Sequence, residues 1–296
     1  MIPSNFLPGQ NFSSETFILD GYSCSVYTSN PAIKSSPVIK SPDNLFSWPE
    51  IVADLLAGVG LDNDTAQAGR GGIFFFSGRR VPAPVVVRQY RHGGFWRFLS
   101  GARFFSAKRF LSEFKTHQHA AAIAVPVPEA VAVIVVKKEQ QPVFVSGYFV
   151  TFRLPDCLTL PDFLRSAPSQ TRLNIFFKLG KYLKKLHEHG IFYTDMHVKN
   201  VLVNRAGEPY LIDFDKSRSV KEPLSERLRR VNLQRFLRSL EKYSSRGGYL
   251  TDSDRSAFLI AYAPDSKHYA KLYRQLQRGI FWRRLLYRLG WLVNRS

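Results

Sequence analysis

In the stretch YTDMHVKNVLVNRAGEPYLIDFD, residues 193–215, carboxylates and an amide stand at spacings that suit phosphoryl transfer. Such a reaction needs a carboxylate to take or orient the proton of the attacking hydroxyl. It also needs a divalent cation, held by oxygen ligands, to neutralise the phosphates. Asp195 suits the first task, and Asn200 and Asp213 suit the second. The competing reading is an acidic surface hairpin in which Asp195 and Asn200 cap a loop and Asp213 forms a turn.

Three elements would have to position these groups. SQTRLNIFFKLGKYLKKLHEHG places Leu173, Phe176, Leu179, Leu183 and Leu186 at helical spacing, with Ser169 or Thr171 as N-cap and Gly190 as the C-terminal stop. That helix delivers the chain to Tyr193. A strand at residues 201–203, a turn at 205–207 and a returning strand through Leu211 and Ile212 form a hairpin short enough to bring Asn200 and Asp213 together. The order Asp-x4-Asn, then a hydrophobic residue, Asp and Phe, matches the catalytic and metal-binding loops of the protein-kinase-like fold.

That match sends the search upstream for a basic residue on a strand, steadied by a glutamate on a helix. APVVVRQY ends a strand on Arg88, with Arg91 as the reserve, and FFSAKRFLSEFKTHQHAA reads as a helix with Phe110, Phe114 and Ala121 on one side and Glu113 on it. Gly69, Gly71 and Gly72, ahead of the aromatic strand IFFF, could let backbone N–H groups approach phosphates or could form a plain turn. His197 and Lys199 are candidate contacts to the acceptor.

The remaining sequence sets the frame. Residues 1–50 read as short strands and loops, residues from Ile51 as a helix, and residues 66–94 as strand, turn and strand with the turn at 77–79. AAAIAVPVPEAVAVIVV reads as a helix end, a turn and a buried strand, and its prolines make it too broken to span a membrane. The expected architecture is α+β: a mixed small lobe over 1–152 and a mainly helical lobe over 153–296. Cys24 and Cys157 lie far apart and fit neither a disulfide framework nor a zinc site. The start of the chain lacks the basic and apolar run of a secretion signal, so a cytoplasmic protein is expected.

A formal charge of +19 predicts a large anionic partner. Residues 216–246 hold ten Lys or Arg against three Glu, and residues after 265 hold eight more with no acid. There Leu272, Leu276, Ile280, Leu286, Trp282 and Trp291 alternate with arginines in a pattern suited to an anionic membrane surface, or to helices packed on the larger lobe. No nucleic-acid recognition motif accompanies them, so nucleic acid is not expected.

Taken together, GRG before the strand pair, VVVRQYRHGGFWRFLS, GIFYTDMHVKNVLV, YLIDFDKSRS and NLQRFLRSL resemble the lipopolysaccharide kinase family over roughly residues 69–240. The resemblance implies a two-lobe protein-kinase-like fold using ATP and Mg2+, with Asp195 as base, Asn200 and Asp213 as metal ligands, and Arg88 with Glu113 as the phosphate clamp. It also implies an acceptor, the 4-hydroxyl of 3-deoxy-D-manno-octulosonic acid (Kdo) on lipid A precursor, at the cytoplasmic face of the inner membrane. Tyr193 and Thr194 replace the His and Arg of protein kinases, Asp215 replaces the glycine after Asp-Phe, and no Ala-Pro-Glu follows. These departures favour a small or lipid-linked acceptor over a protein. The alternatives left open are another acceptor for the same fold and a catalytically silent module that binds membranes.

Overall fold

The computed structural model describes residues 12–29, 46–58, 72–77, 81–92, 102–220 and 223–265, together with 267, 270 and 274. The chain divides into two compact units: Met1–Ala122, Val127–Pro155 and Phe214–Ser217 form the first, and Ile123–Pro126, Asp156–Asp213 and Arg218–Ser296 the second. Gly69, Gly71, residues 78–80 and the apolar and tryptophan positions expected beyond 271 lie outside the described residues.

The first unit is built on one antiparallel sheet. In chain order its described elements are β1 (Phe12–Leu19), β2 (Tyr22–Ser29), helix α1 (Trp48–Ala57), β3 (Ile73–Phe76), β4 (Val85–Gln89), helix α2 (Lys108–Ala122), β5 (Ala130–Lys138) and β6 (Val145–Phe152). The strands lie in the order β1-β2-β5-β6-β4-β3. The strand pair read from sequence, β3 and β4, is thus part of one six-stranded sheet, joined to the rest where β4 pairs with β6. The N-terminal region, expected as short strands and loops, instead contributes two eight-residue strands, with Cys24 and Val26 buried.

Both faces of this sheet are covered. Trp48, Ile51, Val52 and Leu55 of α1 join Val131, Ile134 and Val136 in one apolar cluster, while Phe110 and Phe114 of α2 join Val133, Val135 and Phe149 in another. Burial on both sides explains why AVAVIVV is continuously apolar rather than alternating. Gly147 on β6 is required by this packing, because a Cβ there would stand 2.3 Å from the Phe110 ring. On α2 the buried alanine is Ala120; Ala121, expected on the apolar face, is exposed.

The second unit continues with β7 (Leu158–Thr159), α3 (Leu160–Leu164), α4 (Ser169–Glu188), β8 (Ile191–Phe192), a 3-10 turn (Val198–Asn200), β9 (Val201–Val203), β10 (Pro209–Leu211), β11 (Arg218–Ser219), α5 (Glu226–Ser244) and α6 (Asp252–Tyr262). Helix α4 runs through its core, burying Ile175, Phe176, Leu179, Leu183 and Leu186, whereas Leu173 is only half-buried. Its N-cap is Pro168, not Ser169 or Thr171: proline's fixed φ, −57° here, suits the extended cap position and makes Ser169 the first helical residue. Gly190, at φ 75°, follows its C-terminus in the left-handed conformation that favours glycine.

Among the described residues, each unit buries one neutral imidazole. His117 on α2 donates Nε2–H to the Pro128 carbonyl at 2.5 Å, and His187 on α4 lies between Tyr262 and Asn232. Burial pushes both down to about 4. Each folded-state value lies below the ordinary one, so the unfolded chain binds extra protons between pH 6.5 and 4, and stability falls as pH drops through that window. The expected loss is about 3 kcal/mol per histidine by pH 4, to be read from urea denaturation midpoints at constant ionic strength.

Candidate functional site

Within the second unit the hairpin places the residues read from sequence. Strands β9 and β10 pair antiparallel with Val201 opposite Leu211, and one residue further the Ile212 N–H donates to the Asn200 carbonyl at 3.0 Å. Asn200 and Asp213 therefore flank the same end of the hairpin. Asn200 donates its side-chain amide to the Asp195 carbonyl at 2.9 Å and to Asp195 Oδ2 at 3.2 Å. With its N–H groups engaged there, its Oδ1 is the atom left to ligate a cation, and an amide oxygen beside a carboxylate is a donor set suited to Mg2+. Among the described residues no group of three or more His, Cys, Asp or Glu could hold a metal ion. A pair of oxygen ligands fits Mg2+ that fills its remaining positions with water and substrate phosphate.

Asp195 is exposed and Asp213 half-buried. Asp213 adopts φ 63° and Lys216 φ 60°, left-handed conformations that cost non-glycine residues about 1–3 kcal/mol each and persist only where surrounding contacts impose them. His197 caps the 3-10 turn, its Nδ1 accepting the Lys199 N–H at 3.1 Å. Burial lowers its pKa, Asp195 opposes that shift, and Lys199 and Lys242 add to it. The Lys199 side chain is exposed.

The backbone carrying these groups is held by residues that sequence reading did not assign. Tyr193, fully buried, donates its hydroxyl to the Ile212 carbonyl and, at 3.4 Å, to the Asn200 carbonyl, tying both strands beside Asn200 and Asp213. Helix α5 supplies three further ties. Asn232 Nδ2 donates to the Tyr193 carbonyl at 2.5 Å, Arg235 donates to the Thr194 carbonyl at 2.7 Å, and Ser239 Oγ accepts the Val198 N–H at 3.2 Å. The spacing 232, 235, 239 places all three on one helix face, which is the signal that could have found them.

Asn232 also fixes a tautomer. Its Nδ2 faces Tyr193, so its Oδ1 accepts from His187 Nε2 at 2.9 Å, and His187 Nδ1 then accepts from the Tyr262 hydroxyl at 2.7 Å. Asn232→Leu would remove the Asn232 bonds from the Tyr193 carbonyl and from the buried His187 N–H. The expected destabilisation is roughly 2–5 kcal/mol, measured by urea denaturation, with kcat reduced in the protein that remains folded.

The first unit holds the other expected pair. Arg88 on β4 bonds Glu113 on α2 at 2.5 Å; Glu113 is buried, and the guanidinium lies 4.9 Å from the Tyr90 ring centroid. An arginine fixed this way presents a positioned cation to phosphates. Arg91, the reserve, is exposed and donates Nε–H to Gln89 Oε1 at 3.1 Å. The Gly72 carbonyl accepts the Gln89 N–H at 2.9 Å, so Gly72 extends the β3–β4 ladder.

Helix α2 carries a second ion pair. Arg109 makes a two-pronged bond with Asp215, Nε to Oδ1 at 2.6 Å and a second nitrogen to Oδ2. Although burial opposes it, Asp215 raises the Arg109 pKa, with Glu113 adding to the effect. Phe214 is fully buried and meets the His117 ring edge-to-face at 5.4 Å.

Known proteins resemble this chain in sequence and in fold. A sequence model of the lipopolysaccharide kinase (Kdo/WaaP) family matches residues 64–262, well over half the chain. The 3-deoxy-D-manno-octulosonic acid kinase of Xylella fastidiosa strain 9a5c is 29% identical over 181 residues, covering 60% of this chain and 69% of its own. The enzyme of that name from Vibrio cholerae is 25% identical over 201 residues, covering 67% and 81%. A solved structure of WaaP in complex with acyl carrier protein aligns with a TM-score of 0.50 at 15% identity, over 73% of this chain and 86% of that one. This last likeness is one of fold, a protein-kinase-like α+β architecture.

Proposed function

The chain belongs to the lipopolysaccharide kinase (Kdo/WaaP) family, and from that membership we propose that it transfers the γ-phosphate of ATP to the 4-hydroxyl of Kdo on lipid A precursor during lipopolysaccharide core synthesis. The observation that carries the reading is the bond between Asn200 and Asp195 at the hairpin end that Asp213 also flanks. It sets a candidate base beside two oxygen ligands. The acceptor is supported by relatives from Xylella and Vibrio that carry the name 3-deoxy-D-manno-octulosonic acid kinase.

Asn200 and Asp213 would hold Mg2+, which would supply charge neutralisation of the nucleotide phosphates. Asp195 orients the acceptor hydroxyl and takes its proton as the new P–O bond forms and the bond from the γ-phosphorus to the bridging oxygen breaks, releasing ADP. Arg88, steadied by Glu113, holds the nucleotide phosphates in place. Lys199 and His197 stand close to Asp195 in the chain and suit an acceptor that carries carboxylate and phosphate groups.

The work place we assign is the cytoplasmic face of an anionic membrane. It is supported by the formal charge of +19 and by the exposed Arg227, Arg238, Lys242 and Arg246 on and after α5. Among the described residues no helix is long and apolar enough to cross a membrane. Attachment would then be electrostatic and weaken with salt, which sedimentation with anionic vesicles measures.

The test of the chemistry is the product. Mass spectrometry of Kdo-bearing precursor incubated with the protein, ATP and Mg2+ should find one added phosphate, on Kdo, and none when the 4-position is blocked. Phosphate on the glucosamine backbone, or on a protein, would assign the site to another acceptor.

A further inference from the structure

The segment Phe214–Ser217 belongs to the first unit although the residues on both sides of it belong to the second. Its contacts include two to helix α2 and one internal hydrogen bond. Phe214 is buried against His117, the Ser217 N–H donates to the Phe214 carbonyl at 2.9 Å, and Asp215 takes the two-pronged bond from Arg109. Asp213, immediately before the segment, and Lys216, within it, are both left-handed. This backbone does not persist by intrinsic preference; neighbouring contacts must impose it. The two-pronged ion pair ties the segment to α2 in a defined geometry, since a fork of two N–H groups on a carboxylate fixes both distance and plane.

Arg109 also stands one helical turn before Glu113, the partner of Arg88. The charges Arg88, Glu113, Arg109 and Asp215 thus alternate in sign within one unit, around buried Tyr90, whose hydroxyl feels Glu113, Arg88 and Asp215. Helix α2 therefore secures the phosphate-holding arginine with one residue and the segment following the metal ligand with another.

Resting on the metal-ligand role proposed for Asp213, we infer that Arg109 is a positioning residue for Mg2+: by clasping Asp215 it holds the strained turn that presents the Asp213 carboxylate, with no phosphorylated segment needed to do so. One of the two partners is itself a sequence departure. Asp215 occupies the place of a glycine in protein kinases, and a side chain at that place gives α2 something to hold.

The test is calorimetric titration of the full-length protein with Mg2+ in the presence of a non-hydrolysable ATP analogue, together with amide hydrogen exchange of residues 214–217 without nucleotide or metal. For Arg109→Ala, half-saturating Mg2+ should rise by about 10-fold to 100-fold, as for other groups that orient a ligand from behind. The Ser217 amide should exchange faster in the same variant. Arg109→Lys, which keeps the charge and loses the fork, should fall between. The exchanged pair, Arg109→Asp with Asp215→Arg, should recover most of the affinity, a rescue that mere filling of space does not provide. Unchanged Mg2+ affinity in folded Arg109→Ala would overturn the inference. If that variant does not fold, a folded exchanged pair that fails to recover Mg2+ affinity would overturn it equally. Absence of any Mg2+-dependent nucleotide binding by the native protein would overturn it together with the proposed function, and so separates the two failures.

Discussion

Asp195→Asn should lower kcat for phosphate transfer by roughly 10²-fold to 10⁴-fold, the range set by loss of a general base, while Mg2+-dependent nucleotide affinity stays within about 3-fold. The substitution isolates the proton-accepting role. Asp195 is exposed, so no buried charge is stranded, and its contact is the amide of Asn200. An asparagine oxygen can still accept that hydrogen bond, so the loop keeps its shape and Asn200 keeps its orientation. Pre-steady-state transfer and equilibrium nucleotide binding, measured on the same preparation, separate the two effects. A variant that lost nucleotide binding in parallel with kcat would show that Asp195 acts by holding the loop.

Asp213→Asn should weaken Mg2+-dependent nucleotide binding and reduce turnover by at least about 10²-fold, as expected when a stabilising charge is removed from a phosphoryl-transfer site. Asparagine is the informative replacement. Asp213 sits at φ 63°, a conformation that asparagine tolerates, so the change removes ligand charge without altering backbone preference. Asp213→Ala adds a left-handed alanine, which costs roughly 1–2 kcal/mol, and should lower the melting temperature as well. Titration of both variants with Mg2+ at fixed nucleotide distinguishes lost ligation, partly overcome by more metal, from a distorted turn, which metal does not repair.

How far these positions were legible depends on the range of the contact. Asp195 and Asn200 are five residues apart, and the β9–β10 hairpin that carries the chain on to Asp213 is a local structure, so spacing alone places Asn200 and Asp213 at one end. The helix at Ser169–Glu188 was equally local, apart from its cap, where Pro168 displaces the serine and threonine that composition favours. Arg88 and Glu113 are 25 positions apart and were linked only by the expectation that a strand cation needs a helix anion. Arg109 and Asp215, 106 positions apart, share no periodic pattern and could not be paired from one sequence.

The same reasoning explains the two strands at residues 12–29. Their composition is polar because β1 lies at the sheet edge with much of its surface exposed, so the apolar alternation that marks a strand is weak. The polar face of α5 was misleading in the opposite way. Asn232, Arg235 and Ser239 look like solvent-facing residues of a basic helix, and they are turned onto the backbone around Asp195 instead. A helix face of buried polar groups is chosen by what it must bond, and a hydrophobic pattern carries no trace of it.

The central claim is that this chain moves phosphate from ATP to Kdo on a lipid. The measurement that tests it most directly is transfer of labelled γ-phosphate, with Mg2+, to lipid A precursor bearing Kdo and to the same precursor without it, at equal concentrations in mixed micelles. Label should enter the Kdo-bearing lipid alone. Equal labelling of both lipids, or of neither while the protein binds Mg2+ and ATP, would contradict it.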